Sequence, residues 1–119
     1  MTLSAALVTA TLLFAVGVAV AHSALERAEP SAGSHLRTSP AEVKLRFTEK
    51  LEPAFSSLSV QDAGGRRVDR ADGRVDDAER TLMRISVMPL SPGTYRVVWR
   101  VLSVDGHVTE GAFTFRVDR

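Results

Sequence analysis

Cysteine is missing from all 119 positions, so no disulfide staples the fold and no thiolate is on hand as nucleophile or metal ligand. Its absence also removes the softest donor for a reduced metal ion. An excess of one charge sign is missing too. Fifteen Lys and Arg stand against 14 Asp and Glu, net +1, which leaves no basic stripe to neutralise phosphates and excludes a nucleic-acid binder. Aromatic residues make up only 6%, too few for a broad stacking surface. Beyond residue 21 no window of 11 or more residues sustains the i, i+3, i+4 spacing of an amphipathic helix. No second long apolar run occurs there either, so residues 22–119 are not expected to span a membrane.

What is present first is a leader. Leu3–Ala21 is apolar, carries no charge and ends Ala19-Val20-Ala21, the small-x-small pattern of a signal-peptidase site. Residues 1–21 are expected to be a signal peptide and 22–119 one exported domain, 98 residues with room for a single modest core. Met1–Ala6 lacks the Lys or Arg that normally opens such a leader, so two other readings stand beside cleavage: a true start further upstream, and an uncleaved anchor. The small residues at 19 and 21 and the polar, turn-rich sequence after them favour cleavage.

Period-two alternation follows. Val43-Lys44-Leu45-Arg46-Phe47 alternates apolar and charged, and Leu58 and Val60 continue the pattern after Phe55. Met83, Ile85 and Val87 share one face, as do Tyr95, Val97, Trp99 and Val101, and Phe113, Phe115 and Val117. Gly and Pro turn signals separate these five runs, among them Ser39-Pro40, Glu52-Pro53, Ala63-Gly64-Gly65, Asp72-Gly73, Ser91-Pro92-Gly93 and Asp105-Gly106. The pattern predicts an all-β, antiparallel sandwich or barrel with Tyr95 and Trp99 as core anchors. Segment 61–80, rich in interleaved Arg and Asp, reads as a solvated hairpin connection. Its Asp69, Asp72 and Asp76 do not make a calcium loop, because with Gly73 at the sixth place Val68 and Arg70 fall where acids are needed.

Three histidines carry the chemistry. Cleavage after Ala21 frees an amine on His22, and that amine with the ring Nδ1 forms a six-membered chelate. His35 sits in a turn region and reads as surface. Asp105 and His107 are two residues apart, which in extended backbone turns both to one side, with no side chain on Gly106 between them. Alone, Asp-Gly-His is a turn with an exposed histidine. Joined to an amino-terminal histidine it completes three nitrogens and a carboxylate, a set suited to tetragonal Cu(II). Zn(II) also accepts these donors, but the chelate's planarity and the intrinsic affinity order tilt the choice to copper.

The start His22-Ser23-Ala24-Leu25, with Ala28-Glu29-Pro30-Ser31-Ala32-Gly33, resembles the opening of the CopC family of periplasmic copper-binding, copper-resistance proteins. Pro40–Glu49, Leu90–Val101, Ser103-Val104-Asp105-Gly106-His107 and Gly111–Val117 continue the likeness in the family's order. The resemblance implies a small Greek-key β-barrel, similar to an immunoglobulin-like sandwich, that holds one Cu(II) at one end in the periplasm. It implies His22, Asp105 and His107 as metal ligands, with Glu49 as an outer residue or a structural turn residue, and an inner-membrane copper-transport partner of the CopD type. Some members add a methionine-rich Cu(I) loop; here 61–80 holds no methionine, and Met83 and Met88 read as isolated, so no Cu(I) site is expected. Two rivals to a non-enzymatic copper carrier are kept: an exported interaction module without metal, and a histidine-brace copper monooxygenase, which needs an open coordination place and an aromatic substrate surface.

Overall fold

Strict alternation through residues 43–47 leaves one face of that strand apolar, and burying this face against a second sheet organises the molecule. The computed structural model describes residues 4–6 and 24–119. The elements are β1 (Leu25–Glu29), β2 (His35–Leu36), β3 (Glu42–Phe47), a 3-10 turn (Pro53–Phe55), β4 (Ser57–Asp62), β5 (Arg74–Val75), β6 (Leu82–Ser86), β7 (Gly93–Leu102) and β8 (Val108–Val117). They form two four-stranded sheets, β1-β3-β6-β5 and β2-β8-β7-β4. All pairings are antiparallel except β2 with β8. The result is the expected all-β, immunoglobulin-like Greek-key sandwich.

Inward positions of both sheets close the core. Val43, Leu45, Met83 and Ile85 from one sheet meet Val60, Val97, Val101 and Phe115 from the other, each 0% exposed. Met83 is core filler, as the alternation predicts; Met88 is exposed. Tyr95 is buried and stacks on Phe115, ring centroids 5.7 Å apart. Trp99 departs from expectation: it is only half-buried, with its ring tilted on Phe113 at 6.0 Å and edge-on to Phe47 at 6.4 Å. It has space because its cross-strand neighbour is Gly111, where a Cβ would lie 2.4 Å from the indole. Phe55, in the 3-10 turn, faces solvent.

Segment 61–80 is not the plain solvated connection its composition predicts. Val75 is buried in β5, and Asp69 is 4% exposed. A carboxylate is tolerated there because donors surround it: Val60 N at 2.8 Å, Ala71 N at 2.9 Å, and Arg67 through Nη2 at 2.8 Å and Nε at 3.2 Å. Asp72 accepts from Ser86 N, and Asp76 from Ala78 N and Glu79 N. These acids therefore hold backbone, in keeping with the failed calcium spacing.

Candidate metal centre

Strands β7 and β8 pair over ten residues, so the five-residue link Ser103–His107 must reverse the chain tightly. It does so with Ser103 N donating to His107 O at 3.0 Å and Gly106 N donating to Ser103 O at 2.9 Å. Gly106 has φ +90°, a left-handed backbone that side-chain-bearing residues rarely adopt. A Cβ there would meet nothing within 4 Å, so the glycine serves the turn and does not relieve crowding. Asp105 and His107 thus meet through a turn rather than through extended backbone.

Within this turn Asp105 Oδ2 lies 3.2 Å from His107 Nδ1, and Asp105 Oδ1 accepts from His107 N at 3.3 Å. Ser103, 1% exposed, donates its hydroxyl to Asp105 Oδ1. The Ser103 hydroxyl first, then the His107 ring, hold the Asp105 carboxyl below the usual carboxylate range. Asp105 is therefore anionic at neutral pH, and Nε2 is the His107 nitrogen turned away from the carboxylate. The pair is partly open, with side chains 36% and 42% exposed. Ser103 was not singled out for a role from sequence; the available signal is a polar residue at an inward position of the Tyr95–Val101 alternation.

The turn is tied to the start of the domain. Leu51 bridges Ser103, and Val104 N donates to Lys50 O at 2.9 Å. Three residues earlier, Thr48 N donates to Ala24 O at 2.9 Å and Ala24 N to Thr48 Oγ1 at 3.0 Å. The segment 48–51 thus links Ala24 to the Asp105–His107 turn. His22 itself lies outside the described residues. Glu49 is half-buried in this link and does not complete a metal-sized group with Asp105 and His107; among the described residues no three His, Cys, Asp or Glu form one. His35 is exposed, with Nδ1 3.2 Å from Asp118 Oδ2, and its strand pairs with Arg116 at the far end of β8. Eight residues of strand, about 26 Å, separate that point from Val108, so His35 belongs to a different end of the molecule.

A two-sheet β-sandwich whose last hairpin presents a carboxylate–imidazole pair, linked through residues 48–51 to the residue that opens the domain's first strand, defines the class. A family model described as the CopC domain matches residues 25–118, and the chain belongs to the CopC family. A crystal structure of CopC from Methylosinus trichosporium OB3b is 40% identical with TM-score 0.72, covering 82% of this chain and 94% of that one. PcoC, a methionine-rich copper resistance protein from Escherichia coli, is 33% identical with TM-score 0.71, over 82% of this chain and all of that one (100%). The copper transport protein CutJ of Bacillus subtilis is 28% identical over 91% of this chain, which spans only 20% of CutJ's length. Among the described residues no helix is long and apolar enough to cross a membrane.

Proposed function

We propose that the exported form of this protein is a periplasmic, non-catalytic carrier or buffer of Cu(II), binding one ion per chain through the amine and ring of His22, the carboxylate of Asp105 and the ring of His107. Residues 1–21 are the signal peptide in this reading, and 22–119 the copper-binding domain. The observation that carries it is the tie through 48–51. Ala24 is fixed to Thr48, the Asp105–His107 turn is fixed to Lys50 and Leu51, and two residues of chain from Ala24 to His22 span at most about 7 Å. The ligands are then an anion and nitrogen donors, a set that fits Cu(II). A separate Cu(I) site is not proposed: Met83 is fully buried, and Met88 alone of the described methionines is exposed. The match to part of a protein named a copper transport protein supports exchange with an inner-membrane copper transporter of the CopD type.

The test begins with the mass of the exported protein, expected to start at His22. A variant with one extra residue ahead of His22 keeps the imidazole but loses the amine, and its Cu(II) affinity should drop by orders of magnitude in competition titrations. His107→Ala should weaken binding and alter the visible and EPR spectra, while His35→Ala leaves both unchanged. An interaction module without metal would be indifferent to the first two changes, and copper-dependent oxidation of a polysaccharide would point to an enzyme.

A further inference from the structure

The outward face of β4, β7 and β8 carries an open groove of about 610 Å³. Register sets Ser59, Val98 and Ala112 side by side across the three strands as its floor. Longer side chains rise on either side of this row. On one side stands Arg96, paired with Gln61, which in turn bridges Arg67; on the other stands Arg100, flanked by Ser57 and Glu110. Arg67 is turned to Asp69, and Arg100 Nε lies 3.8 Å from Glu110 Oε2 in a largely exposed pair. Arg96 is exposed and enters no ion pair among the described residues.

We propose that this groove binds an extended acidic segment of a partner protein, with one carboxylate on Arg96 and another on Arg100. Arg67 and Arg100 are turned to different carboxylates and Arg96 stands apart along the strand, so the groove is not arranged around one small anion. Arg96 and Arg100 are four residues apart on one strand, about 13 Å, the span of four residues in an extended peptide lying along it. Planar guanidiniums accept carboxylates in two-pronged fashion, and the Ser57 and Ser59 hydroxyls offer donors to the peptide backbone between them. Glu110 is the one acid lining the groove, and it occupies Arg100 in the unbound protein. The next row along the strands is Leu102 with Val108, the latter 48% exposed, followed by the exposed Val104 of the metal-pair turn. A partner seated in the groove therefore lies against the hairpin that carries Asp105 and His107. The proposal stands on the metal-free surface and does not depend on copper being bound.

Its test is an NMR titration of the isotope-labelled exported protein with a nine-residue Gly-Ser peptide bearing glutamates at positions 1, 5 and 9. A control peptide carries its three glutamates in a row. The spaced peptide should shift the amides of residues 57–59, 96–100 and 110–112 and bind more tightly than the control. Arg96→Glu should weaken it at least about tenfold, and Glu110→Gln, by releasing Arg100, should tighten it. These side chains point outward, and a melting curve checks that each variant is folded; Arg96→Gln replaces Arg96→Glu if it is not. Shifts spread over Arg66, Arg70 and Arg74, equal affinity for both peptides, or indifference to the Arg96 change would overturn the proposal.

Discussion

At the scale of single residues, Ser103 is the side chain on which the candidate site leans most. Asp105 and His107 are legible in the sequence as a pair, because few residue types bind metals and these two stand close together. What tunes them is not legible from residue types, since a serine in a turn motif has no chemistry of its own to announce. Only its parity with Tyr95, Val97 and Val101 marks it as inward, and the structure finds it 1% exposed with its hydroxyl on Asp105. Ser103→Ala keeps the backbone bond from Ser103 N to His107 O, so the turn persists, but Asp105 loses its foremost donor and keeps only His107 to orient it. Supporting partners of metal ligands typically set about 10- to 100-fold in affinity. Cu(II) affinity of the Ser103→Ala variant should fall within that range, less than for His107→Ala, as read by competition with a chelator of known strength. An unchanged affinity would mean that Asp105 is not a ligand oriented by Ser103.

At the scale of elements, the long regular strands follow from alternation and the short or irregular ones do not. Residues 43–47, 58–60, 83–87, 95–101 and 113–117 announce themselves because the opposite sheet buries one face of each strand. β1 is an edge strand with a register shift between Leu25 and Arg27, and β2 and β5 are two residues long, so none shows a readable period. Segment 61–80 is largely exposed as its composition predicts, but it departs at one acid that looks solvated: Asp69 is a buried acceptor that fastens the segment to β4. Asp69→Ala leaves Val60 N and Ala71 N without that acceptor, at roughly 1–3 kcal/mol for the buried Val60 N and about 1 kcal/mol for the part-buried Ala71 N, so a loss of about 2–4 kcal/mol is expected in denaturant unfolding. The carboxylate also sets a pH dependence. Burial pushes the Asp69 carboxyl up, but donation from Val60 N, Arg67 and Ala71 N outweighs it, and the net shift is downward. A depressed folded-state pKa contributes stability that is present above the unfolded value near ~3.9 and is lost as pH falls through the folded one. Asp69→Asn should therefore be less stable than the native protein at pH 7 and show a flatter decline below about pH 4. Gly111→Ala probes the opposite sheet: the new methyl meets the Trp99 ring, which must move off Phe47 and Phe113, at about 1–3 kcal/mol and with a shift in the emission of the single tryptophan.

At the scale of the whole molecule, the proposed copper ligands come from the two sheets separately. Ala24 leads into β1 of one sheet, whereas Asp105 and His107 sit on the β7–β8 hairpin of the other. An ion held by His22 and this hairpin would fasten the first strand of the domain to its last hairpin, a cross-link in a chain that has no disulfide. Binding to the folded state alone stabilises by mass action, about 2.7 kcal/mol when free copper exceeds Kd 100-fold. For a domain of this size that corresponds to a rise in Tm of roughly 10–20 °C. The rise should vanish when one residue precedes His22, because the amine is then a peptide nitrogen and the link between sheets is broken. It should also shrink on acidification, since a metal competes with protons for its ligands and the α-amine of a chain's first residue takes up its proton below about 7.7–8.0. Asp105, held below the usual carboxylate range by Ser103 and then His107, stays ionised through that interval and adds nothing to the decline. Melting curves with and without Cu(II) at pH 7.5 and pH 5.5 separate the two cases: a copper-induced rise that is large at the first pH, nearly gone at the second and absent in the extended variant is the outcome required of a site built across both sheets.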